Sequence, residues 1–374
     1  MPDLNPTPAP PPVRRPRGVV RIGGKVVEGW QSWEVDNNAY RSADTFRVVF
    51  ALALLRQPYD ADWFSRQESL EVEILAGFPA DPDRPDPSEL DSLILGHADE
   101  LLFDPTRGTI ELTGRDLTAL LIDTQTSENF PDHTASQIAT KLAERYQLTP
   151  VVTATKTKAG DYYRYEHAVT TQQQSEWELL TQLANVEDFV LYVKGRELHF
   201  EPRPAQQADH YAIDWAAASA ERGHPVANAC AVQFSRNLTI AKGVAVEVRS
   251  WNAEHKKAFK ASWPKEVKAA QPGQSAARAQ LYRYAIAGLT QDKALQRAQS
   301  IYRQIVAHEM HLTASLPADN VLDSGKTLLM RGTGTAFDQL YYPESVTRSM
   351  SIGDGYRMSI RAKNTAGPQA EAAP

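Results

Sequence analysis

The 374-residue sequence contains one cysteine, Cys230, which excludes an intrachain disulfide framework and a multi-cysteine metal site. Its setting, "ANACAVQF", favours a small buried hydrophobe in a strand over a nucleophile. No apolar run approaches the ~18 residues that a membrane span needs. An excess of positive charge is lacking as well. The chain has 40 Lys+Arg against 46 Asp+Glu, a net charge of -6, which argues against sequence recognition of nucleic acid. The opening "MPDLNPTPAPPPVRRPRG" lacks the apolar centre of a signal peptide, so synthesis in the cytoplasm is expected.

Motifs for catalysis are missing too. There is no Gly-x-Ser-x-Gly elbow. Gly325-Lys326-Thr327 resembles the end of a phosphate loop, but Asn320 stands where the first glycine is needed. A turn and strand is the better reading. In "VAHEMHLTAS", His308 and His311 are three apart, whereas a zincin helix needs them four apart. The following residues alternate, which predicts a strand with Met310, Leu312 and Ala314 inward. Glu309, His311 and Thr313 then face solvent, a channel or a neighbour, and the two rings cannot share a metal. The other histidines (97, 133, 167, 199, 210, 224 and 255) lack ligand spacing, and Asp161, Glu166, Asp188 and Asp214 form no glycosidase pair. Arg115-Asp116 reads as a turn with an acid near a helix start. No catalytic, metal or cofactor residue is assigned. The competing reading is a cell-wall hydrolase, metal- or carboxylate-dependent, built around His308/His311 or Asp161/Glu166.

What the chain does have is alternation. Phe46, Val48, Phe50 and Leu52, then Leu70, Val72 and Ile74, recur at period two. "DPTRG" and Gly353-Asp354-Gly355 are hairpin turns. Two helices announce their starts with capping boxes, Thr134/Gln137 and Ser175/Glu178, and a hairpin follows around Lys194-Gly195. Val244, Val246 and Val248 mark another strand. A helix over 291–307 puts Ala294, Ala298, Ile301, Tyr302 and Ile305 on one face. The lysine-bearing stretch 253–279 has few apolar anchors and reads as an exposed loop, with docking as its alternative.

The order of these segments carries a resemblance. "ELTGRDLTALLIDT", "SQIATKLAERYQL", "SEWELLTQLANVEDFVLYVKGRELHF", a block ending "VEVRSWN", a helix, and "GTGTAFDQLYYPESVTRSMSIGDGYRMSIRAKN" follow one another. This arrangement resembles the phage late control protein D family, the baseplate hubs of contractile tails, and is similar to the N-terminal half of type VI secretion spike (VgrG) proteins. The resemblance implies a β-rich α+β fold with two tube-like antiparallel β-barrel domains and a small α+β unit between them. The expected division is a Pro-rich arm at 1–17, a first barrel at 18–116, an α+β unit at 117–204, a second barrel at 205–364 and a tail at 365–374. It also implies a homotrimer whose six barrels form a pseudo-sixfold ring in the virion baseplate, joining the tail tube protein to the central spike protein. Tape measure and wedge proteins are further implied neighbours. No spike segment follows the last strand, so the spike is expected to be a separate polypeptide. A type VI spike component is the related alternative.

Overall fold

The computed structural model describes residues 15–39, 42–126, 128, 130, 132–156, 174–187, 189–202, 210–221, 223–241, 243–252, 257–264, 280–286, 291–306 and 309–364. The fold is α+β and rich in strands. Among these residues no helix is long and apolar enough to cross a membrane. The chain separates into two compact units. Unit 1 comprises Met1–Tyr211, Ser315–Lys326 and Ser345–Ile360; unit 2 comprises Ala212–Ala314, Thr327–Glu344 and Arg361–Pro374. Residues 315–326 and 345–360, expected in a second barrel, therefore group with the first unit, as does the helical segment expected at 117–204.

Unit 1 is organised around seven strands: β1 Arg17–Ile22, β2 Lys25–Val26, β3 Trp30–Asn38, β4 Thr45–Ala51, β5 Glu71–Gly77, β6 Asp91–Asp104 and β7 Thr109–Asp116. The segment Ser345–Ser351 adds an eighth by pairing antiparallel with Ser32–Asn38. From that segment the order runs β3, β4, β7, β6, β5, β1, β2. Among the described residues the path ends at β2, without a pairing that closes it into a ring. The period-two pattern has its physical counterpart here: Val35, Phe46, Val48, Phe50, Val72, Ile74, Ile110 and Leu112 are all buried. Removing one face of the pleat from water is what holds the register.

The helices of unit 1 pack a separate core. Helix Ala135–Arg145 starts as expected, with Thr134 accepting from the Gln137 amide and Gln137 reciprocating. Helix Glu176–Glu187 begins at the second box, in which Ser175 Oγ accepts from the Glu178 amide at 3.1 Å and Glu178 accepts from the Ser175 amide at 2.9 Å. Ile138, Leu142, Leu180, Leu183, Leu198 and Phe200 form the core between these helices and the hairpin Phe189–Lys194/Glu197–Pro202. Thr134→Ala removes one reciprocal cap and should lower the thermal unfolding midpoint by the equivalent of ~1 kcal/mol. Thr134→Ser should restore most of it.

Unit 2 holds a three-stranded sheet, Lys257–Trp263, Val244–Asn252 and Gln280–Ala285, with Val244–Asn252 in the middle. Helix Gln291–Val306 lies on one face, where Val244, Val246, Val248, Ala261, Ala294, Ala298 and Ile301 are buried together. This corrects the loop expected at 253–279: Lys257–Trp263 is a strand, paired through Trp251↔Ala258 and Val246↔Trp263. Phe259, Ala261 and Trp263 do alternate there, but only Ala261 becomes buried among them, so the apolar signal is weak. Residues 253–256 and 265–279 lie outside the described ones. Cys230 is a second correction. It is exposed, in a bend just before the strand Ala231–Arg236 rather than within it. The strand Met310–Pro317 has the expected register, with Met310, Leu312 and Ala314 buried.

Candidate interaction surface

The "GRD" segment at the end of β7 shows how this sequence builds its wall. Gly114 stands at a close approach of β6: a Cβ there would lie 2.1 Å from the His97 carbonyl oxygen and 2.7 Å from the Phe46 ring. Only glycine permits that approach. Arg115 points outward and grips two carboxylates, Asp99 at 2.7 and 2.8 Å and Asp123 at 2.8 and 3.0 Å. Asp116 points inward. Its carboxylate accepts from the Thr118 amide at 3.2 Å and from the Thr118 hydroxyl at 2.9 Å, where the helix Thr118–Asp123 begins.

Glu34, Asp36, Arg47, Asp99 and Arg115 line a shallow groove of about 320 Å³ on the outer wall. Arg47 also holds Glu111, at 2.7 Å between Nη2 and Oε2, and keeps that carboxyl below the ordinary range. With each cation matched to an acid on a neighbouring strand, the groove reads as a solvated charge ladder and not as a ligand site.

The two ends of the unit 1 sheet differ. At one end Ala51 pairs with Thr109, Thr109 with Asp104, Ile22 with Lys25, and Ser351 with Ser32. These registers bring the turns at 23–24, 52–54, 105–108 and 352–354 to one rim. It exposes Val26, Leu54, Leu102, Phe103 and Ile352, the last 77% accessible. Five exposed large apolar groups in and beside these turns, at strand ends, are of the kind that suits contact with another protein.

At the opposite end a polar network ties the segment 319–322 to the strands. Arg348, 3% exposed, donates to the Asp319 carbonyl at 2.8 Å, to the Leu322 carbonyl, and to Asn37 Oδ1 at 3.4 Å. Asn37 donates to Asp44 at 2.8 Å, and the Asp44 carbonyl accepts from the Asp116 amide at 2.9 Å. Asn320 donates to the Ala76 carbonyl and to Asp91, and receives the Tyr356 hydroxyl at 2.6 Å. Tyr211 donates to Asp319 at 2.7 Å. Burial pushes Asp44 up to about 6, against the hydrogen bonds from Asn37 and Asn38. It pushes Asp116 up to about 8, with the neighbouring Asp44 charge adding to the shift. A fully bonded network of this kind gives a defined end to the sheet.

The residues singled out in the sequence are scattered. His308, Asp161, Glu166, Asp188, His167 and His255 lie outside the described residues. His311 lies 3.7 Å from Glu344, which also pairs with Lys363 at 3.0 Å. Glu309 pairs with Arg236 at 2.7 Å, and Asp214 with Arg331. Lys326 donates to the Val321 carbonyl in a turn, not to a phosphate loop. Among the described residues no group of three or more His, Cys, Asp or Glu could hold a metal ion. Arg348, Asn37, Asp44 and Asn320 were missed because they converge from distant points of the chain with no shared spacing.

No protein-family model and no curated protein sequence matches the chain. Solved structures do. A tail protein from Neisseria meningitidis MC58 superposes with a TM-score of 0.62 at 14% identity, over 93% of this chain and 96% of that one. The 43 kDa tail protein of prophage MuSo2 from Shewanella oneidensis gives 0.63 at 12% identity, over 93% and 98%. The fold is that of these tail proteins. An Escherichia coli component of the type VI secretion system, described as structurally similar to the T4 bacteriophage tail proteins gp27 and gp5, gives 0.52 at 11% identity, over 95% of this chain and 80% of its own. The tail-protein fold thus spans nearly the whole chain, both units included.

Proposed function

We infer that the chain is a structural hub of a phage or phage-like tail baseplate, located in the virion, that joins the tail tube to the central spike as a ring of three copies. The observation that carries this reading is the end-to-end match to tail proteins, with 93% of this chain covered and 96% of the other in one case. The apolar rim around Leu102, Phe103 and Ile352 supplies a surface suited to a stacked neighbour, and the polar network stiffens the far end of the same sheet. Function then resides in interface geometry: three copies with two barrel-like units each offer six related surfaces to a sixfold tube and one threefold axis to a spike. Tape measure and wedge proteins are further partners on this reading. It assigns no catalysis to the chain. Stoichiometric zinc in the purified protein, or turnover of peptidoglycan, would overturn that part and favour the hydrolase.

The rim gives the direct test. Phe103→Asp combined with Ile352→Asp should leave far-ultraviolet circular dichroism unchanged and weaken capture of the tail tube protein at least tenfold, since truncated apolar anchors at an interface centre cost about 2 kcal/mol or more. Undiminished capture would remove the rim from the account. The type VI reading predicts capture of a tube protein from that system instead.

A further inference from the structure

The face of the unit 2 sheet turned away from helix Gln291–Val306 is a cationic rosette. Glu247 lies at its centre, only 5% exposed. Each of the three strands contributes one cation to it: Arg249 Nε at 2.7 Å, Lys260 Nζ at 2.8 Å and Arg283 Nε at 3.7 Å. One carboxylate neutralises one charge, so the rosette keeps an excess of about two positive charges. All three cationic side chains are 60% or more exposed. Stability does not call for this arrangement, because a single partner would satisfy Glu247 and three crowded cations repel one another.

Apolar groups flank the rosette. Register places Trp251 on the same face at one end, opposite Ala258, and Leu281 at the other, opposite Ala245. Trp251 is 57% exposed and Leu281 44%. An exposed tryptophan beside arginines is the composition of an interface centre. Trp251 belongs to the "VEVRSWN" segment, and Lys260 to the lysine-bearing stretch for which docking was the alternative reading.

The chain carries a segment of opposite character. Residues 80–89, "ADPDRPDPSE", set Asp81, Asp83, Asp86 and Glu89 against a single Arg84, with three prolines interleaved. The four acids are exposed. Prolines offer flat, low-entropy surfaces to an aromatic ring, and the carboxylates match the excess cations. The geometry points to a self-recognition contact in which the Glu247 rosette of one copy takes the 80–89 loop of a second copy, with Trp251 against a proline and Lys260 and Arg283 against the acids. A contact between two different patches is head-to-tail and closes a ring when the rotation between copies allows it. This inference rests on the reading of the chain as a multi-copy hub.

The test is a charge swap on the full chain, read as mass by analytical ultracentrifugation. Lys260→Glu with Arg283→Glu, and separately Asp81→Lys with Asp86→Lys, should each weaken self-association at least tenfold. The combined variant should recover most of the loss. An unchanged mass in either reversed variant, or a combined variant as weak as its parents, would overturn the contact. So would a wild-type chain that stays monomeric at every concentration. None of these results touches the tube-capture test, so the contact can fail while the hub reading stands. A second arm does not depend on charge-reversed proteins folding. In a Cys230→Ser background and with oxidised glutathione added as the oxidant, a Ser262→Cys copy mixed with a Ser88→Cys copy should form mixed disulfide dimers several times faster than either copy alone. No excess of mixed dimers would contradict the proposal.

Discussion

Replacing Gly114 by valine should abolish the native fold of unit 1. The new Cβ would sit 2.1 Å from the His97 carbonyl oxygen and 2.7 Å from the Phe46 ring, far inside van der Waals contact. The first neighbour is backbone and cannot rotate away, so β6 and β7 must separate where Ala98 pairs with Gly114. Broken ladder bonds together with an overpacked core place the cost above about 4 kcal/mol, at the extreme of single substitutions. Urea unfolding followed by tryptophan fluorescence should find the variant unfolded or nearly so at 25 °C. Retention of a wild-type midpoint would mean that β6 and β7 are not packed as described. Gly353→Ala, at a position with open space around its Cβ, is the matched control and should change the midpoint little.

Asp116→Asn should act in the opposite direction, and only at the alkaline side. In the folded state both buried acids prefer to be protonated, Asp116 up to about pH 8 and Asp44 up to about pH 6. An acid raised in this way binds its proton more tightly folded than unfolded. Its contribution to stability is complete below about pH 4 and disappears as pH rises through the folded value. The wild-type chain should therefore lose stability between about pH 4 and pH 8, by an amount on the order of 2–5 kcal/mol for Asp116. Asparagine keeps the shape and the bonds to Thr118 without the charge. The variant should match wild type near pH 4, exceed it above pH 8, and show a flatter profile between. Thermal melts across that range read the effect directly. A variant less stable than wild type at pH 9 would mean that Asp116 is ionised in the fold at little cost.

The elements whose signal is local were legible in the sequence. The capping boxes at Thr134 and Ser175 need only four residues each, and both form. The alternation of Met310, Leu312 and Ala314 identified a strand because one buried face imposes period two whatever the rest of the chain does. Strand Lys257–Trp263 escaped because its partners, not its own apolar content, keep it in the sheet. Cys230 was misplaced by its neighbours, since a small residue beside the apolar start of a strand looks buried until the bend that holds it is known.

The interaction surfaces were less legible, for a reason of distance. Nothing near Arg348 in the sequence says that it will donate to two carbonyls at 319 and 322 and approach Asn37. The rim is likewise a product of register: Leu54, Phe103 and Ile352 meet at one edge only once the pairings of β3, β4, β6 and β7 are known. The division into units follows the same logic, because Ser345–Ser351 pairs with β3, more than 300 residues away in the chain, as well as lying in the sheet beside Gly355–Lys363.

The proposed hub can be checked by negative-stain imaging of the chain mixed with a candidate tail tube protein. Rings of three copies with a central channel, stacked coaxially on tube rings, are the expected result, with loss of the stacks in the combined Phe103→Asp and Ile352→Asp variant. Free monomers that never join the tube protein would contradict the proposed hub.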